Sequence, residues 1–147
     1  YIDSIAAEAA ANSNGEWKRF VAVGLNPSAE WGNEYYVYCK VKQTGNGVEN
    51  PKSNSLVWLN YAGKLINGKI FDATYSGELN PDYESPVEIT LNECVMGFST
   101  AVQQMVEGDV WEVFIPSTLG YGASDYGTVP AHSTLIFTVN LVDFSNL

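Results

Sequence analysis

The chain has 147 residues, 46% of them hydrophobic and 16% charged, which is the composition of a globular protein and not of a disordered one. Seven Lys and Arg against seventeen Asp and Glu leave a formal net charge of −10, which argues against nucleic acid and anionic membrane surfaces as partners. No apolar run approaches the ~20 residues needed to span a bilayer, and the length suits one domain with an appendage. The sequence opens at Tyr1 with no Met, signal peptide or lipobox, so it reads as a processed or truncated product.

In chain order, residues 1–33 open with Ile2, Ile5, Ala6 and Ala9 in an alanine-rich background, a spacing that predicts a short helix. Trp17, Phe20 and Val21 predict a second helical turn or two before the break at Asn26-Pro27-Ser28. This segment carries no chemistry. It is expected to lie as a hairpin against the domain, the alternative being a spacer or a partner-binding arm.

Residues 35–42 alternate, with Tyr35, Val37, Cys39 and Val41 on one face and Tyr36, Tyr38, Lys40 and Lys42 on the other, and predict a half-buried strand. Gly45 and Gly47 then suit a turn in which positive φ costs nothing. Residues 56–62 predict another strand, Asn67-Gly68 a tight turn, and 87–91 a further strand in which Val87, Ile89 and Leu91 share a face. Thr100-Ala101-Val102-Gln103 fits a capping box. It predicts a helix over 100–106, with Ala101, Val102, Met105 and Val106 as its apolar stripe and Gly108 at its end. Residues 110–115 and 135–143 are rich in β-branched and aromatic side chains and complete a set of five strands. There is no βαβ alternation and no internal repeat. The expected class is α+β: a five-stranded, mainly antiparallel sheet over one short α-helix, plus the N-terminal helical segment.

The chemistry-bearing residues are sparse. Cys39 and Cys94 permit one disulfide but nothing demands it, and each also reads as a small buried apolar residue. His132, the one histidine, has no Cys, Asp or second His at ligand spacing. Zinc needs three or four ligands, and no such set stands out, so neither metal nor cofactor is expected. No Ser/His/Asp ordering or phosphate-binding glycine loop is present.

Two separated blocks carry a stronger signal. One runs Tyr61-Ala62-Gly63 to Phe71-Asp72. The other runs from Glu93-Cys94-Val95-Met96-Gly97-Phe98 through Leu119-Gly120-Tyr121-Gly122 to Thr128-Val129-Pro130-Ala131-His132 and on to Phe137. In this order they resemble an FKBP-type peptidyl-prolyl cis–trans isomerase domain covering residues 34–147, with residues 1–33 as an unrelated N-terminal helical extension. The resemblance implies a curved antiparallel sheet wrapped over the helix and an aromatic proline pocket between them. It implies catalytic positions at Tyr61, Phe71, Asp72, Val95, Phe98, Tyr121 and Phe137, and substrate-binding positions at Val87, Cys94 and Val129. In the implied roles, the Val95 N–H and the Tyr121 hydroxyl anchor substrate carbonyls. Phe71, Phe98 and Phe137 enclose the ring beside Tyr61, which Asp72 holds. The implied partners are proline-containing segments of client proteins and macrolide inhibitors of the FKBP class.

The chain departs from the family in three places: Phe98 stands where Trp is usual, Val87 where an aromatic is frequent, and the 73–86 loop has no Lys or Arg. Without the resemblance, Phe71, Phe98 and Phe137 read as core and Asp72 as a turn residue, whereas Tyr121 between two glycines reads as functional. The expected activity is X–Pro isomerisation. A peptide-binding or chaperone module with little or no turnover is the alternative, and a structural envelope domain with a self-filled pocket is the third reading. The extra N-terminal segment and the Asn-, Tyr-, Gly- and Ser-rich surface point to an exported, lipid-anchored bacterial envelope protein.

Overall fold

A computed structural model of the chain describes residues 1–81 and 84–146. Helix α1 (Ile2–Ala11) ends at Asn12, which takes the left-handed conformation at φ 45°. The Asn12 side chain accepts the Trp17 N–H at 2.9 Å and donates to the Trp17 carbonyl at 3.4 Å. It thereby folds the chain straight into strand β1 (Trp17–Val21). Strands β2 (Tyr36–Gln43), β3 (Leu56–Lys64), β4 (Ile70–Ala73) and β5 (Val87–Thr90) precede helix α2 (Met96–Val102). Strands β6 (Val110–Ile115) and β7 (Leu135–Ser145) follow it.

Among the described residues all seven strands form one sheet in the order β1-β2-β6-β7-β3-β4, with β5 beside β4 on the outer side of β3. Every pairing is antiparallel. The expected class therefore holds, with two more strands than the five foreseen.

The sheet is covered on both faces. Val37, Cys39, Val113, Phe137 and Val139 pack with Phe98, Ala101 and Val102 of α2 in the larger core. On the reverse face Tyr36, Tyr38, Phe114 and Ile136 form a second core against Ile5 of α1. This explains why residues 36–39 are all buried where alternation predicted a half-exposed strand.

The structure corrects three expectations. The helical turns expected around Trp17–Val21 are strand β1, paired with β2 from Trp17↔Lys40 to Val21↔Tyr36. Positions three apart share a face in a helix but lie on opposite faces of a strand. Here Trp17 packs on Phe114 at 5.5 Å in the rear core, while Phe20 stacks on Trp111 at 5.9 Å in the front one. An edge strand thus precedes residue 34.

The helix expected over 100–106 runs four residues earlier, with Val95 at its N-cap. Thr100 lies inside it, donating its hydroxyl to the Met96 carbonyl at 2.8 Å and accepting the Val23 N–H at 3.1 Å. Gln103 donates back to Ser99. The Thr–Gln pattern therefore marks the end of the helix, not a capping box at its start.

Gly45 and Gly47 serve close approach, not positive φ, for a Cβ on Gly45 would lie 2.0 Å from the Glu107 carbonyl oxygen. Gly68 does take φ +86° in the expected Asn-Gly turn. Cys39 and Cys94 are both free thiols.

Candidate active site

Between α2 and the open end of the sheet lies a cavity of about 270 Å³. Tyr61 reaches it from β3, Asp72 from β4, Ile89 from β5, Phe98 from α2 and Phe137 from β7. Glu93, Cys94 and Val95 line it from the short turn leading into α2, and Tyr121 and Tyr126 from the loop before β7.

The aromatic floor is mutually braced. Phe98 meets Phe137 edge-on at 5.1 Å and 74°, and Tyr61 meets Phe98 at 5.9 Å and 73°. Edge-to-face contact of this kind sets the positive rim of one ring against the negative face of the next, and adds to area burial. Phe98 and Phe137 are 4% and 5% exposed, so they form a floor and not a rim. On the far wall Tyr121 stacks on Tyr126 at 4.2 Å, with the planes 4° apart.

The Tyr61 hydroxyl donates to Asp72 Oδ2 at 2.7 Å. Burial raises the Tyr61 phenol above its ordinary pKa, and the hydrogen bond to Asp72 and its charge push the same way. Tyr121 is raised by burial, then by Tyr126 and Asp72. Burial lifts the Cys94 thiol to about 11, with Glu93 adding to it. Each of these groups is therefore a protonated, neutral donor near neutral pH. Such a cavity can hold an apolar ring, exclude water and donate hydrogen bonds, but it offers no ionised nucleophile from these three.

Of the ten positions expected at the site, seven line the cavity together: Tyr61, Asp72, Cys94, Val95, Phe98, Tyr121 and Phe137. Phe71 stands behind it, edge-on to Phe137 at 5.5 Å and 82°. Gly63 makes room for that contact, because a Cβ there would fall 2.7 Å from both rings. Val87 is 37% exposed on β5, and Ile89, two residues along, takes the place on the cavity wall. Val129 is 2% exposed and pairs with Tyr126 through two backbone hydrogen bonds of 2.8 and 2.9 Å, so it shapes the Tyr126 loop from behind.

Ile89, Glu93 and Tyr126 were not foreseen. The first was legible in the alternation of β5, and the second neighbours Cys94. Tyr126 sits in a loop with no periodic signal. His132 lies exposed outside the cavity, at φ 61°. Among the described residues no cluster of three His, Cys, Asp or Glu is arranged to hold a metal, and no helix is long and apolar enough to cross a membrane.

A family profile described as FKBP-type peptidyl-prolyl cis-trans isomerase matches residues 47–142, most of the chain and every residue of the cavity wall. The chain belongs to this family. It is 36% identical to the peptidyl-prolyl cis-trans isomerase Mip of Coxiella burnetii, over 70% of this chain and 42% of that protein. It is 33% identical to the outer membrane protein MIP of Legionella longbeachae, over 70% of this chain and 42% of that one. It thus spans about two fifths of the length of these relatives. The fold also matches the crystal structure of a peptidyl-prolyl cis-trans isomerase from Pseudomonas syringae pv. tomato. The TM-score is 0.70 at 24% identity, over 99% of this chain and 93% of that one, and this likeness concerns the fold. Because it extends beyond residues 47–142, strand β1 and helix α1 lie within the matched architecture.

Proposed function

We propose that the chain is a peptidyl-prolyl cis–trans isomerase that turns X–Pro bonds in exposed segments of client proteins. The observation that carries this is the braced floor of Tyr61, Phe98 and Phe137 under a cavity of about 270 Å³, inside the span of the family match.

No covalent bond is made or broken in this reaction. The barrier of roughly 18–20 kcal/mol is amide resonance, lost as the C–N bond twists. The twisted amide has a pyramidal nitrogen and a less polarised carbonyl, so water solvates it less well than the planar form. An apolar floor that seats the proline ring and excludes water favours the twisted species, and each tenfold in rate takes about 1.4 kcal/mol of that preference. The Val95 N–H and the Tyr121 hydroxyl anchor the flanking carbonyls. Asp72 holds the Tyr61 ring through its 2.7 Å hydrogen bond. Phe71 positions Phe137 without lining the cavity.

A protease-coupled assay with Leu-Pro and Phe-Pro peptides tests the proposal. Acceleration above the uncatalysed rate is expected. Binding of the peptide without acceleration would overturn it in favour of a chaperone-like module.

The same floor should accept macrolide inhibitors of the FKBP class, more weakly than a Trp floor would. Calorimetry reads this directly, and no heat of binding at high ligand counts against it. The naming of one relative as an outer membrane protein supports an extracytoplasmic, bacterial envelope location, and with it we propose a lipid anchor. Fractionation of the native host with lipid labelling tests both, and a cytoplasmic, unlipidated product would overturn them.

A further inference from the structure

The cavity walls carry charge of one sign. Asp72 and Glu93 line it, and no Lys or Arg does. Both carboxylate side chains are on solvent-exposed residues. Among the described residues the one ion pair joins Lys40 to Glu16, in the β1–β2 region away from the cavity. All seven Lys and Arg precede Ile70, and from Asp72 onward the acidic residues have no cation in sequence. Lys64 and Lys69, the cations nearest to Asp72 along the chain, flank the Asn67-Gly68 turn and line no cavity wall. The stacked Tyr121–Tyr126 pair adds an aromatic face to the same mouth, with Tyr126 61% exposed.

Resting on the isomerase reading of this pocket, we infer that the mouth selects its substrates by charge. The preferred clients are X–Pro segments with a lysine or arginine flanking the proline, and segments with an acidic flank are disfavoured. The pocket itself stands on its aromatic floor, and the carboxylates decide which chain enters it. Clefts with low-dielectric walls and charge of one sign concentrate the complementary charge and raise its rate of encounter. A cation that arrives there meets a carboxylate and an aromatic face at once, and both attract it. A carboxylate next to the proline would meet Asp72 and Glu93 as like charges with no cation on the wall to offset them. The raised pKa values of Tyr121 and Cys94, to which Asp72 and Glu93 respectively contribute, are consistent with a negative field inside the cavity.

The test is isomer exchange by NMR on two peptide series, Ac-Gly-X-Pro-Gly-NH2 and Ac-Gly-Ala-Pro-X-NH2, with X as Lys, Leu, Gln or Glu. Affinity is measured by titration on the same samples. At low salt the Lys peptide is expected to exceed the Glu peptide by about tenfold in at least one series, falling to about threefold near 0.5 M salt as screening shortens. Glu93→Gln, at an exposed position, is expected to narrow the Lys-to-Glu ratio about threefold, and because a ratio is read, a general loss of activity cancels. Equal Lys and Glu values in both series, or a ratio that ignores both salt and Glu93→Gln, overturns the inference. If no peptide is turned over, the isomerase reading falls, and the Lys-to-Glu affinity ratio still decides the charge selection.

Discussion

The Tyr61 hydroxyl and Asp72 Oδ2 stand 2.7 Å apart across the β3–β4 pair, two residues out of direct register, because Asp72 lies opposite Gly63. The bond points a phenol ring into the cavity from one strand and fixes it from the next. Tyr61→Phe keeps the ring and removes the donor. A stability loss of about 0.5–1.5 kcal/mol is expected. The rate should fall, since the ring is then free to turn away from Phe98. Urea unfolding and the peptide assay check the two effects. An unchanged rate would show that the hydroxyl does not position the site.

The same wall sets the pH dependence. Tyr61, Tyr121 and Cys94 are all raised, chiefly by burial. A group whose folded pKa exceeds its unfolded value contributes stability that is complete below the unfolded value and is lost as pH rises through the folded one. For Cys94 the loss begins above its unfolded value of about 8.5 and is complete past its folded value of about 11. For the two phenols it begins above about 10. None of these groups changes charge near neutrality. The value of kcat/KM should therefore be flat from about pH 6 to 8, unlike the bell of a general acid–base enzyme. His132→Ala, outside the cavity, should leave it within about a factor of two. A step near pH 6.5 that vanishes in the His132 variant would overturn the desolvation mechanism.

Phe98 is both floor and core. It is 4% exposed and touches Tyr61 and Phe137 edge-on. Phe98→Ala should therefore remove about 3–5 kcal/mol of stability, the range for a buried ring, and should also weaken peptide binding sharply. Unfolding curves and titration at a temperature where the variant is still folded separate the two. A full stability loss with unchanged affinity would remove Phe98 from the site.

Much of this was legible in the sequence, where periodicity or a spaced motif carried it. The alternation of residues 56–62 and 135–143 gave strands, and the two motif blocks named seven cavity residues that meet only in three dimensions. What failed was information held outside the local window. Trp17 and Phe20 fit a helix or a strand equally by spacing, and only pairing with β2 decides between them. Helix α2 is capped at Val95 with no side-chain cap hydrogen bond, so its beginning carried no polar mark, and the Thr100 hydroxyl turned inward instead. Tyr126 is held against Tyr121 by a backbone bridge to Val129, a loop contact that no pattern of apolar residues records.

Helix α1 supports the sheet from the face opposite the cavity. Ile5 is 7% exposed and packs with Tyr36, Tyr38, Phe114 and Ile136. Ile5→Ala should destabilise the chain by about 2–4 kcal/mol. It should leave the isomerase rate and the peptide affinity unchanged, because Ile5 packs on the rear face of the sheet and the pocket floor on the front face. Paired unfolding and activity measurements check this. A fall in rate without a fall in stability would show that the rear layer reaches the site.

Asp109 joins the loop after β2 to the turn after α2. It is 5% exposed. Its Oδ1 accepts the Gly45 N–H at 2.8 Å and its Oδ2 accepts the Val106 N–H at 3.0 Å. One carboxylate thus closes the turn after α2 and pins the loop after β2 beside it. Hydrogen bonds to a charged acceptor are worth about 1.5–3 kcal/mol each, and a buried donor left without one bears its full desolvation penalty. Asn is nearly the same size but ends in one acceptor oxygen and one NH2 group that only donates, so Asp109→Asn must set an N–H against one of the two backbone N–H groups. Asp109→Asn should therefore destabilise by about 2–3 kcal/mol despite the matched shape. Asp109→Ala should cost at least as much and should make the Gly45 amide exchange faster in hydrogen-exchange NMR. If Asp109→Asn unfolds at the same urea concentration as the parent, the paired backbone bonds are not what holds these loops together.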